Sequence, residues 1–179
     1  MSANCLAGII HPMAADHGVG WECFWGKAKM HVEISEKPFN PWQKLEAHHR
    51  LLDKQGKAQA CGATTVFIGT MRDVNQDEKV ISMRLEHYAE MTRSHIERFI
   101  QTECAAWPFT DVLVVHRVGT VYPADTIVLV AVWAAHRDTS YRVNRLIMEE
   151  LKSRAPFWKK EQLAQGSRWL SAEKGLQDL

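Results

Sequence analysis

The stretch from Thr126 to Ala134 constrains this chain more than any other. It carries no charge and is rich in β-branched side chains. A run of that length and composition reads as a strand buried on both faces, at the centre of a sheet. It flows into Ala135-His136-Arg137-Asp138, where a helix begins.

The rest of the pattern supplies its neighbours. Met30, Val32 and Ile34 alternate with His31, Glu33 and Ser35, which predicts a strand. Asn40-Pro41 is a helix start, an N-cap followed by proline at the first helical position. Trp42, Leu45, His49 and Leu52 then keep helical spacing to about Lys54, and Gly56 ends the helix. Ala63–Met71 and Val112–Val118 read as strands, and Arg72 to Asp77 as a polar loop. Ile81, Met83, Leu85 and His87 alternate with polar residues, a strand with one wet face. Its short distance from the preceding strand predicts that the two pair antiparallel. Thr92 is expected to cap a second helix with Ile96, Phe99, Ile100 and Cys104 as its apolar stripe and Pro108 beyond its end. A third helix runs to about Arg154 with Val143, Ile147 and Leu151 inward. Ala155-Pro156 stops it, because a residue before proline avoids the helical region. Phe157 to Leu170 predicts a short hairpin around Gln165-Gly166.

This order defines an α+β class: a mainly antiparallel sheet covered on one side by helices, with a short C-terminal β hairpin. One domain is expected over residues 30–179. Residues 1–29 are rich in Gly, Ala and His and show no period, so they read as a thinly packed, dispensable extension. Apolar residues at 46% and charged residues at 24% suit a globular core. A net charge of +1 provides no global field for a nucleic acid or an acidic membrane. No run of 18 apolar residues exists, so no membrane span is expected. The four cysteines form no C-x-x-C pair, and a reducing, cytoplasmic setting fits them.

Charge is uneven along the chain. Between Arg137 and Lys160 seven basic side chains face three acidic ones, in a chain whose net charge is only +1. Such a run is either a solvated helix face or an anion site. His136-Arg137 sits where a buried strand gives way to a helix, and free N–H groups and the positive helix end collect there. Arginine adds a fork that matches phosphate, and histidine a donor that titrates. The plainer alternative has His136 satisfying a carbonyl and Arg137 pairing with Asp138. Lys152 lies beside the apolar stripe of the third helix, and Lys159 follows the Ala155-Pro156-Phe157-Trp158 turn. A lysine enclosed by aromatic rings and other cations loses its proton more readily, which suits nucleophilic or proton-transfer roles. Two snorkelling surface lysines are the other reading. His48 and His49 are adjacent on a helix and cannot share one metal, so no metal site is expected, and no cofactor motif occurs.

Five segments occur in an order that resembles one family. They are Phe67-Ile68-Gly69-Thr70-Met71-Arg72, Leu85-Glu86-His87-Tyr88, His116-Arg117-Val118-Gly119, Ala134-Ala135-His136-Arg137, and Leu151-Lys152-Ser153-Arg154-Ala155-Pro156-Phe157-Trp158-Lys159-Lys160-Glu161. Together they resemble the large, catalytic subunit family of molybdopterin synthase, over roughly residues 30–172. The resemblance implies an α/β-hammerhead-like fold. It implies sulfur transfer from the thiocarboxylated C-terminus of a small ubiquitin-like subunit to cyclic pyranopterin monophosphate, forming the molybdopterin dithiolene. It places Lys152 and Lys159 in the sulfur-transfer pocket, and Arg72, His136 and Arg137 in the anion-binding part. It also implies a homodimer of this chain, with pockets that draw on both copies and one small subunit at each end. The partner carries the sulfur, so this chain needs no cysteine pair. A non-enzymatic module using the basic 137–160 segment for an anionic partner is the competing reading. The near-neutral total charge speaks against it for nucleic acid.

Overall fold

The computed structural model describes residues 29–170. The expectations for residues 1–28, and for the chain beyond Leu170, lie outside the described residues.

The apolar Thr126–Ala134 run is strand β7, and it is central as its composition requires. It sits in a four-stranded sheet of order β1-β5-β7-β2, between β5 (Phe109–Arg117) and β2 (Ala63–Thr70), both antiparallel to it. β1 (Lys29–Ser35) pairs parallel with β5 on the outer edge. Val128 to Ala134 are all buried. Alternation divides them between two cores. Val128, Val130, Val132 and Ala134 face helices α2 (Ala89–Thr102) and α3 (Arg137–Ser153), meeting Ile96, Ile100, Val143, Ile147 and Leu151. Leu129, Ala131 and Trp133 face the other way, onto Leu52 of helix α1 (Pro41–Lys54). Helices therefore cover both faces of this sheet, not one. Each fully buried Leu, Ile or Val contributes about 1.5–3 kcal/mol, which makes the β7 core the main source of stability.

The second sheet holds β4 (Glu78–His87), with β6 (Gly119–Val121) on one side and β8 (Phe157–Leu163) on the other. β9 (Gly166–Leu170) closes the expected hairpin on β8. β4 does not pair with β2, contrary to the sequence expectation. The Arg72–Asp77 segment is more than a loop. Its Val74–Asn75 form β3 and pair with Glu78 and Lys79. Gln76 and Asp77 both take positive φ, 52° and 62°, as a tight mirror-image hairpin turn demands. The chain has already entered the second sheet at β3, and this turn reverses it into β4. β5 crosses between the sheets at Gly119, whose φ of +79° bends it into β6.

Two helix details also differ from the sequence reading. Asn40 caps α1 as expected, its Oδ1 accepting from Trp42 and Gln43 N–H at 2.9 and 3.2 Å. However, His48 rather than His49 turns inward, and Trp42 is exposed. A buried carboxylate accounts for this: His48 Nε2 lies 3.0 Å from Asp111 Oδ1, and its ring packs on Trp133. Thr92 does not cap α2. Tyr88 holds that position without a side-chain bond, while Thr92 is buried in the first turn and donates to Pro156 O at 3.4 Å. Cys104 is buried as expected, just past α2. Its thiol is pushed up to about 12, by burial first and then by Glu103 and Glu150.

Candidate active site

Helix α3 returns along β7 and β2, and this fixes where each candidate residue falls. Near its start, Ser140 Oγ lies 2.8 Å from Thr65 Oγ1, close to the beginning of β2. One turn on, Asn144 Nδ2 donates to Thr65 O and Val130 O at 3.3 and 3.1 Å. Leu151 then joins the core that holds Val128. Lys152 thus lies toward the start of β7, where Thr126 pairs with Thr70 and the chain leaves β2 for Arg72. His136 and Arg137 lie at the other end, where Ala134 pairs with Ala63. Arg137 and Lys152 are fifteen positions apart on the helix, about 22 Å. Within one chain, Arg72 and the two lysines share an end of the molecule, and His136-Arg137 do not join them.

The lysine end is heavily braced. α3 stops at the Ala155-Pro156 turn, where Arg154 and Ala155 N–H both bond to Glu150 O, at 3.0 and 2.9 Å. The Glu150 side chain is buried and lies 2.6 Å from His95 Nε2 of α2, with Arg154 at 3.6 Å. Past the turn, Phe157, Lys159 and Glu161 share the inner face of β8, while Trp158 and Gln162 are exposed. Glu161 is buried and accepts from Asn75 Nδ2 and Arg168 Nε, both at 2.8 Å, which ties β8 to β9 and to the β3 turn. Lys159 is half-buried opposite Leu85. Lys152 is exposed at the end of the helix, the surface alternative of the two readings its sequence position allows. The sheet ends there, so only the adjacent Leu151 reaches the core.

His116 is the residue that sequence reasoning passed over. It appeared in a recognised segment without a role. It is buried at the end of β5, and its ring stacks on Phe157 at 3.9 Å with an interplanar angle of 15°. Its Nδ1 lies 2.8 Å from Arg117 O, a pure acceptor, so Nδ1 carries the hydrogen. Its pKa is lowered to about 4, by burial first, with the bond to the Arg117 carbonyl opposing and Lys159 and His87 adding to the fall. Arg117 beside it is structural. Its guanidinium donates to the carbonyls of Glu36, Val118 and Thr120 at the crossing between sheets. His87, the cross-strand partner of Phe157, has a buried Nδ1 without a hydrogen-bond partner. It borders a cleft of about 380 Å³ lined also by Glu86, Tyr88, Trp158 and Trp169. A larger groove of about 660 Å³ near Phe39 and Trp42 has no titratable lining residue and so offers no acid–base chemistry.

The opposite end is bare. His136 occupies the N-cap of α3 but makes no side-chain capping bond, and both it and Arg137 are exposed. The backbone is tight just beneath: a Cβ on Gly62 would come within 2.4 Å of Ala135 O. Uncapped N–H groups with a neighbouring guanidinium favour an anion. The other basic side chains of the segment do not form one stripe. Arg142 lies 4.4 Å over Trp107 and 3.9 Å from Asp138, and Lys160 lies over Trp169. Among the described residues no group of three or more His, Cys, Asp or Glu is placed to hold a metal. Among them, no helix is long and apolar enough to cross a membrane.

The chain is similar, in sequence and in fold, to known proteins. The family model described as MoaE protein matches residues 34–154. The molybdopterin synthase catalytic subunit of Pasteurella multocida is 41% identical over 141 residues, covering 79% of this chain and 89% of that one. That of Haemophilus influenzae matches at the same 41% and the same coverage. Among solved structures, the MoaE protein of Burkholderia ambifaria matches with a TM-score of 0.64 at 36% identity, covering 80% of this chain and 90% of that chain. The molybdopterin synthase of Staphylococcus aureus matches with a TM-score of 0.67 at 28% identity, covering 78% and 96%. This chain belongs to the MoaE family, and its Pasteurella and Haemophilus relatives are named catalytic subunits of molybdopterin synthase.

Proposed function

We propose that this chain transfers sulfur from the thiocarboxylated C-terminus of a small ubiquitin-like subunit to cyclic pyranopterin monophosphate, forming the molybdopterin dithiolene. The observation that carries this reading is the Ala155-Pro156 turn, which sets Lys152 and Lys159 at one end of the molecule beside the exit of Arg72. Sulfur transfer from an acyl-type donor develops negative charge on the donor's carbonyl oxygen. Fixed ammonium donors stabilise that charge most when water is partly excluded. Lys152 contacts the developing anion, and half-buried Lys159 assists it.

The precursor phosphate is held by Arg72, His136 and Arg137. Because His136-Arg137 lie about 22 Å from Lys152 in one chain, they serve the pocket of a second copy. Two features support a homodimer. β2 is an edge strand of its sheet, and Val66 and Phe67 on it are exposed. The small subunit's extended tail enters at the lysine end, where main-chain hydrogen bonds and small glycines allow close approach. The test is reconstitution. Purified chain, thiocarboxylated small subunit and pterin precursor are mixed, and dithiolene is the expected product. Absence of product with a folded dimer and bound partner refutes the reading.

A further inference from the structure

We propose that His116 is a positioning residue for Lys159, acting through its flat contact with Phe157. The inference rests on the reading of Lys159 given above. It begins from a buried imidazole that the proposed chemistry does not use. His116 lies where β5 crosses toward the second sheet, and its ring orientation is fixed from two sides. Nδ1–H donates to Arg117 O at 2.8 Å, and the ring face lies on Phe157 at 3.9 Å and 15°. Phe157 is two residues before Lys159 on β8, so both side chains leave the same face of that strand. β8 starts directly after the Ala155-Pro156 turn, and among the described residues β4 is its only strand neighbour at Phe157, since the pairing with β9 runs from Lys159 to Leu163. The cross-strand partner of Phe157, His87, holds only one side of it. The stack supplies the other side and links β8 to the rigid four-stranded sheet.

A neutral ring is required in this place. Lys159 and His87 both disfavour charge on His116, and a positive charge on that ring would repel Lys159 on β8. Burial keeps the ring uncharged, so the aromatic contact persists beside Lys159. Phenylalanine at 116 preserves a flat ring on Phe157 without polar chemistry. Leucine fills similar volume without one. The two substitutions separate positioning by stacking from any proton-transfer role.

The experiment uses the full chain with thiocarboxylated small subunit and pterin precursor, and measures kcat, KM for the precursor and partner affinity. His116→Leu is expected to lower kcat about 10²-fold, the effect of a displacement near 1 Å, with partner affinity unchanged. His116→Phe is expected to recover kcat to within about threefold, a difference too small for loss of a positioned group. Should His116→Leu fail to fold, Phe157→Leu breaks the same contact from its half-buried partner and is read by the same two outcomes. Wild-type kcat in either leucine variant overturns the proposal, as does a His116→Phe enzyme as slow as the leucine ones. Lys159→Ala run alongside separates the two readings. A silent Lys159→Ala refutes the function assigned to that lysine. A crippled Lys159→Ala with active leucine variants refutes only the positioning role.

Discussion

The two ends of helix α3 carry the same kind of residue in opposite settings. At the C-terminal end, Lys152 and Lys159 flank a turn fixed by Glu150, His95, Thr92 and the His116–Phe157 stack. At the N-terminal end, His136 and Arg137 stand in solvent with no side-chain cap. Rigid support is what a group needs when it must meet a reacting atom within a fraction of an ångström. A phosphate tolerates looser contacts, and an exposed helix start can be completed by a ligand or a second copy. On the function proposed above, the difference teaches that one chain would contain a nearly finished reaction site at one end and half of a binding site at the other.

The strongest test of this contrast is Lys152→Ala. Removing one donor to a developing oxyanion typically costs about 10²–10³ in rate, and Lys152 is exposed, so no core volume is lost. Single-turnover sulfur transfer is expected to fall by that order, with unchanged circular dichroism and partner binding. Lys152→Arg is expected to restore little, since a planar guanidinium reaches differently. Near-normal transfer by Lys152→Ala would remove the catalytic half of the comparison.

Stability against pH probes the same braced end. The unfolded chain protonates His116 at its ordinary 6.5, the folded chain only near 4. Between these values the unfolded state binds more protons, so stability is complete above about pH 6.5 and declines as pH falls toward 4. The full loss from this one group is on the order of 3 kcal/mol. Urea unfolding at pH 7 and pH 4.5 is expected to show it, and the His116→Phe protein to show a shallower decline. Parallel pH profiles for the two proteins contradict the burial assigned to this ring.

The contrast between the ends was only partly legible in the sequence. The β7 core was, because nine uncharged residues permit few other outcomes. So was the C-terminal hairpin, from Pro156 and Gln165-Gly166. The lysine pair and the His136-Arg137 helix start were visible as local patterns. Their separation was not, because it follows from α3 folding back along β7, a long-range fact that no local spacing encodes. The tight β3–β4 hairpin of the second sheet depended on the positive φ at Gln76 and Asp77, neither of which is glycine. His48 turned inward for the sake of Asp111, far away in sequence. His116 looked like one more residue in a strand, and its contact with Phe157 spans the two sheets.

The bare end should respond with smaller effects. Arg137→Ala removes one charged fork from the proposed phosphate site, and precursor affinity is expected to fall about tenfold, the worth of one charge-assisted hydrogen bond. Small-subunit affinity is expected to stay the same, since the proposed entry of its tail is at the other end. Calorimetric titration with each ligand separates the two. Equal loss of both, or loss of neither, removes the distinction between the ends.

The smallest effect tests whether the missing cap is functional. His136 has extended backbone, with φ −126° and ψ 143°, the conformation an N-cap adopts, yet its side chain accepts no N–H from the first turn. Serine in that place can accept one, and a good N-cap is worth about 1 kcal/mol over a residue that cannot cap. His136→Ser is therefore expected to raise the unfolding free energy by up to about that amount, read as a small rise in Tm. It is also expected to weaken precursor binding, because the serine oxygen occupies the N–H groups that the phosphate needs and the imidazole donor is gone. A protein that is more stable and binds more weakly shows an end left uncapped for its ligand. If His136→Ser binds the precursor as tightly as the unmodified chain, the helix start is not where the phosphate sits, and Arg137 alone must account for any anion affinity at this end.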